Sequence, residues 1–77
     1  MSVLIYTTPS CPYCQLLKKF LRDNKVDFSE IDISRDAEKA REAVQKSGQY
    51  VVPIIDINGK IIVGFDRSLL AKELNIK

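Results

Sequence analysis

Two apolar runs, residues 50–57 and 60–63, are separated only by Asn58-Gly59, and that dipeptide constrains the fold more than any other feature of the chain. A two-residue link joins antiparallel strands through a type I′ turn, which needs positive φ at both positions and so favours Asn-Gly. The C-terminal half therefore holds a β-hairpin. At the other end, Val3-Leu4-Ile5-Tyr6-Thr7 is a short apolar run bounded by Thr8-Pro9-Ser10 and suits a strand buried on both faces. Leu16, Leu17, Phe20 and Leu21 then fall on one stripe at helical period, with Gln15, Lys18, Lys19, Arg22 and Asp23 opposite. This predicts a helix from residue 12 to about residue 25, with Pro12 at its first position and Asn24 as a left-handed terminator. Residues 28–33 form a second strand, whose Ser29, Glu30 and Asp32 mark a partly exposed edge. Residues 36–46 form a weaker helix with Ala37, Ala40 and Val44 inward and Gly48 past its end. A last helix carries Leu69, Leu70 and Leu74, with Asp66 as its N-cap.

The element order is β-α-β-α-β-β-α. Its first half implies a parallel pair and its second half an antiparallel one, so the expected fold class is α/β: a four-stranded mixed sheet with three flanking helices. The 77 residues make one domain, 1–77, expected to act as a monomer. At 45% hydrophobic and 29% charged the composition is that of an ordinary globular chain. Twelve Lys and Arg against ten Asp and Glu give a net charge of +2, too balanced to imply a nucleic-acid partner. No apolar run approaches the roughly 18 residues of a membrane span, and the start Met1-Ser2-Val3-Leu4-Ile5-Tyr6 lacks the basic region of a signal peptide. With no His and two Cys, one chain cannot complete a tetrahedral zinc site of Cys and His.

The chemistry is concentrated at Cys11-Pro12-Tyr13-Cys14. A bridge closing so short a loop would stabilise by roughly 2 kcal/mol at most. A lone Cys-x-x-Cys without an export signal reads instead as a dithiol that cycles in the cytoplasm. Cys11 falls at the N-cap of the first helix, where its sulfur is expected to face the N–H groups of Tyr13 and Cys14 and the positive end of the dipole; both favour thiolate. Cys14, one turn in and more enclosed, is expected to be the resolving thiol. Pro53 stands in an apolar run where a central strand would exclude it. Two readings are open: a strand that begins after it, or a cis Val52–Pro53 bond that presents the Val52 backbone to an extended peptide. Gly64-Phe65-Asp66 lets a ligand approach the backbone before the last helix. Tyr13 and Phe65 are candidate apolar walls of a cleft.

These three segments, Cys11-Pro12-Tyr13-Cys14, Val51-Val52-Pro53 and Gly64-Phe65-Asp66, together resemble the signatures of glutaredoxins, in their compact bacterial, dithiol Cys-Pro-Tyr-Cys form. The resemblance implies a thioredoxin-like fold and a thiol–disulfide oxidoreductase that binds no permanent cofactor and uses glutathione as co-substrate. It implies that the Val52 backbone pairs with the glutathione cysteine beside Pro53, and that Gly64, Phe65 and Asp66 hold the γ-glutamyl end. Glutathionylated or disulfide-containing proteins would be the partners, and the glutathione reductase system the electron source. The chain departs from the family pattern in three places. Thr8 stands where many relatives carry a lysine for the glycyl carboxylate, so Lys39 or Arg41 is a candidate to replace it. Val51 stands for the usual Thr. Val63-Gly64 followed by Phe65 resembles the redoxins that draw on thioredoxin reductase and serve ribonucleotide reductase, which is the alternative reading. A glutathione-ligated [2Fe–2S] scaffold is an alternative of another class, disfavoured because relatives of that kind usually carry Gly and Ser in the motif.

Overall fold

A computed structural model describes residues 2–76; Met1 and Lys77, the ends of the expected 1–77 domain, lie outside the described residues. The sheet is built around β1 (Val3–Thr7). β1 pairs in parallel with β2 (Ser29–Asp32) on one side and antiparallel with β3 (Ile54–Ile57) on the other. β3 returns antiparallel into β4 (Lys60–Val63), giving the order β2-β1-β3-β4. The helices are α1 (Pro12–Asp23), α2 (Ala37–Ser47) and α3 (Arg67–Glu73). This is the expected thioredoxin-like fold: a four-stranded mixed sheet with three helices.

Alternation along β1 divides the interior in two. Val3 and Ile5 face a core made with Leu17, Phe20 and Leu21 of α1, Ile55, Ile57 and Ile62 of the hairpin, and Leu70 and Leu74 of the C-terminal segment. Tyr6 faces a smaller core with Ile33, Ala43 and Ile54, and Leu4 packs against that same core. Each fully buried Leu or Ile contributes about 1.5–3 kcal/mol, so the α1 and α3 side carries most of the apolar stabilisation. The hairpin turn has Asn58 at φ 53° and Gly59 at φ 92°, as the dipeptide requires. Asn58 also donates its N–H to the Ser2 carbonyl at 3.0 Å, and its Oδ1 accepts the Ser2 N–H at 2.7 Å, which ties the turn to the entry of β1.

Several sequence expectations are corrected. Asn24 has φ −96°, and the left-handed residue is Lys25 at φ 57°. The Asn24 side-chain amide donates to the Phe20 carbonyl at 2.8 Å, so it caps the helix at negative φ and leaves the reversal to Lys25. Leu16 and Leu69 are exposed, because Cys14 and Leu70 take the inward places on their helices. On α2 the buried residue is Ala43, while Ala37 is exposed and Ala40 and Val44 are half-buried. Lys18, expected on the solvent side of α1, has a side chain only 14% exposed. β2 starts at Ser29 and ends at Asp32, one residue inside each expected limit, and β3 starts after Pro53. Among the described residues no helix is long and apolar enough to cross a membrane.

Candidate active site

The loop leaving β1 at its C-terminal end delivers Cys11 to the start of α1, the position where open α/β sheets place their ligands. Cys11 is the N-cap, with φ −91° and ψ 112°, and Pro12 follows it as first helical residue. Its Sγ accepts the Cys14 N–H at 3.1 Å. The expected second donor, the Tyr13 N–H, is not among its partners, because an N-cap side chain bonds the amide two or three residues on and here takes the third. The Cys11 N–H is itself held by the Thr8 carbonyl at 3.3 Å.

Both cysteines are free thiols, and they are unequal. Cys11 keeps 9% of its surface, whereas Cys14 keeps none. Burial, and then its hydrogen bond with Cys11, pushes the Cys14 thiol up to about 12. At neutral pH Cys14 is therefore a protonated, enclosed thiol.

The Val52–Pro53 peptide is cis, and β3 begins directly after it, so the cis geometry and the late strand start occur together. The Cys11 thiol lies 3.9 Å from the Val52 carbonyl, which it approaches as donor. Gly64, at φ 81°, donates its N–H to the Pro53 carbonyl at 2.8 Å. The segments carrying Cys11, Val52-Pro53 and Gly64 thus form one continuous rim. Asp66 caps α3 by accepting the Leu69 N–H at 3.1 Å. Phe65 is half-buried and sets its ring edge-on to Phe20 at 6.0 Å, so it belongs as much to the core as to a cleft wall. Tyr13 is 62% exposed.

Thr8 lines a cavity of about 100 Å³ with Tyr50, Val51 and Val52. Ile33, Val44 and Tyr50 connect it to a wide groove of about 630 Å³ along α2, where Arg41 lies. Lys39 is instead paired with Glu42 at 3.5 Å. Arg41 thus lines the groove that adjoins the Thr8 cavity, while Lys39 is paired with Glu42 on the exposed side of α2. Sequence reasoning missed Tyr50, which is 78% exposed on the loop before Pro53. Its place between Gly48 and a proline that bars a central strand was the available signal.

Comparison with known proteins agrees with this geometry. The Glutaredoxin family profile matches residues 3–62. Glutaredoxin 3 of Escherichia coli is 40% identical over 65 residues, covering 84% of this chain and 78% of that one. A glutaredoxin-like 8.6 kDa protein in the rubredoxin operon of Clostridium pasteurianum is 37% identical over 70 residues, covering 91% and 93%. The solved structure of the glutaredoxin-like NrdH-redoxin from Escherichia coli superposes with a TM-score of 0.82 at 26% identity, covering 94% and 93%. A free dithiol at a helix start, a cis-proline beside it and these relatives lead to one conclusion: the chain belongs to the glutaredoxin family of thiol–disulfide oxidoreductases.

Proposed function

We propose that the chain is a dithiol glutaredoxin of the Cys-Pro-Tyr-Cys type, acting as a single-domain monomer and using glutathione as co-substrate. The inequality of the two thiols carries this reading: Cys11 reaches the surface beside the Val52 backbone, and Cys14 does not. Cys11 thiolate attacks a mixed disulfide, an S–S bond forms to Cys11, and the partner leaves as a thiolate that takes up a proton. With a glutathionylated substrate the glutathione stays on Cys11 and a second glutathione removes it. With a protein disulfide, Cys14 attacks Cys11 instead and the Cys11–Cys14 bond closes. Cys11 and Cys14 are the catalytic residues in this reading.

Glutathione would lie along the rim. Val52 offers its backbone to the glutathione cysteine next to Pro53, while Gly64, Phe65 and Asp66 receive the γ-glutamyl end. Tyr13 covers the sulfur, and Thr8 offers a hydroxyl to the glycyl carboxylate, with Arg41 on the adjoining groove as the candidate charge. A neutral donor holds a carboxylate about half as strongly as a charged one, so affinity for glutathione is modest. Such a dithiol is kept reduced in the cytoplasm, which we take as its compartment.

A second reading has specific support. Val63-Gly64-Phe65 resembles the redoxins fed by thioredoxin reductase, and the NrdH-redoxin that superposes on this chain is described as having a thioredoxin-like activity profile. NADPH oxidation decides between the two. Turnover with glutathione plus glutathione reductase is the expected result. Strong turnover with thioredoxin reductase alone would replace glutathione as the reductant.

A further inference from the structure

Behind the dithiol lies a polar cluster that belongs to none of the three signatures. Glu30 of β2 accepts the Thr7 Oγ1 hydroxyl at 2.6 Å and meets Lys18 Nζ at 3.0 Å. The three residues come from three elements, and Thr7 is buried. Thr7's hydroxyl and then Lys18's ammonium hold Glu30 below the usual carboxylate range, so the cluster contains a true ion pair at neutral pH. Lys18 follows Cys14 by four residues, which makes the two side chains neighbours on one face of α1. Its charge acts on Cys14 in the direction of thiolate.

The chemistry needs such a charge. In the resolving step the Cys14 sulfur attacks Cys11 Sγ, the Cys11–Cys14 bond forms and the bond from Cys11 to the partner breaks. The electron pair leaves on the partner's sulfur, and the proton that Cys14 gives away goes to that thiolate or, where the thiolate is a weak base, to solvent, so the dithiol is oxidised and the partner reduced. Negative charge must develop on a sulfur with no exposed surface, where desolvation opposes it. We propose that Lys18, fixed by Glu30 and Thr7, is a positioning residue for this resolving step, its charge favouring thiolate at Cys14 one helical turn away. The proposal rests on the reading of Cys11 as attacking thiol and Cys14 as resolving thiol.

The test is single-turnover reaction of the reduced chain with a chromogenic aromatic disulfide, bis(nitrothiobenzoate), which needs no glutathione. The first coloured thiolate released reports attack by Cys11, and the second reports resolution by Cys14. Lys18→Met should leave the first phase unchanged and slow the second by roughly threefold, and Lys18→Arg should restore it. Glu30→Gln, which keeps an acceptor oxygen for Thr7 and Lys18 but removes the opposing charge, should speed the second phase by about twofold. A cluster that only packs α1 onto the sheet would give the opposite pattern: either substitution would slow both phases, or neither would slow the second. Either outcome overturns the proposal, as does failure of Lys18→Arg to rescue. If Cys11→Ser still releases the first thiolate at the full rate, the assignment of the two thiols is wrong, whatever Lys18 does.

Discussion

Tyr6 and Thr7 are adjacent on β1, leave the sheet on opposite faces, and each brings a hydroxyl to a glutamate accompanied by a lysine. On the α2 face, the Tyr6 hydroxyl donates to Glu42 Oε2 and accepts from Lys46 Nζ, both at 2.8 Å. Lys46 also bonds Asp56 Oδ2 at 2.8 Å and lies 5.1 Å from the centre of the Tyr6 ring. On the α1 face, the Thr7 hydroxyl and Lys18 share Glu30. The parts are alike and the outputs differ. The α2 cluster has a second carboxylate, Asp56, as a further partner for Lys46, and none of the charges acting on Cys14 comes from it. Its product is the attachment of a helix. The α1 cluster is a single ion pair whose lysine stands a turn from a reactive sulfur, so the same chemistry also contributes a field there. A polar cluster acquires a catalytic consequence from where it stands.

The largest expected effect lies at the thiols themselves. Cys11→Ser should abolish exchange with every substrate, while Cys14→Ser should keep activity toward a glutathionylated substrate, which needs one protein thiol and a second glutathione. Equal loss in both variants, read by NADPH oxidation, would reverse the roles assigned to the two sulfurs.

Alkaline pH comes next. The folded Cys14 thiol is held up at about 12 against an ordinary 9.0, so the folded state keeps a proton that the unfolded chain gives up. Its contribution is complete below pH 9 and is lost as pH rises toward 12. The slope is at most about 1.4 kcal/mol per pH unit. Urea unfolding between pH 8 and about 10 should show Cys14→Ala less sensitive to pH than the parent. Identical slopes would mean that burial of the sulfur does not penalise its charge.

Tyr6→Phe sharpens the contrast between the faces. Loss of a buried hydroxyl with two partners should cost about 1–3 kcal/mol in urea unfolding, while both phases of thiolate release keep their rates. A slowed second phase would show that the α2 cluster also reaches the dithiol. The smallest effect is at the groove. Thr8→Lys should tighten binding of S-methylglutathione by about 0.5–1.5 kcal/mol, and Arg41→Ala should weaken it by a similar amount. No gain from Thr8→Lys with a large loss from Arg41→Ala, measured by calorimetric titration, would mean that Arg41 already anchors the carboxylate.

The parts that local rules decide were legible in the sequence. Asn58-Gly59 specified its turn, Asp66 capped its helix, and Gly48 closed α2 in the left-handed conformation, whereas Asp36, read as the first helical residue, is the N-cap. The Cys11 N-cap followed from spacing, and proline's missing N–H set the start of β3 after Pro53, while the cis form of the Val52–Pro53 bond stayed one of two open readings until the backbone was seen. What failed depended on a partner distant along the chain. Lys18 looks like a solvent residue until Glu30 is brought up beside it, and periodicity contains no term for that encounter. Ala43 replaced Ala37 as the buried residue of α2 because Glu42 and Lys46 must both reach Tyr6, which fixes the rotation of the helix. Asn24 was assigned the reversal by residue preference alone, whereas its amide had a carbonyl within reach.

The bond from the Gly64 N–H to the Pro53 carbonyl joins the two backbone segments of the rim without any side chain. Natural variation can therefore exchange what decorates the rim, at Val51, Val52 or Phe65, while the distance between its two rails stays as it is. In the proposed function, selectivity for a thiol partner and the width of the slot that admits it are then inherited separately. A lineage of such chains is free to change customers by point substitution, and the one direct way to cut this rail is a residue at position 64 that lacks an N–H.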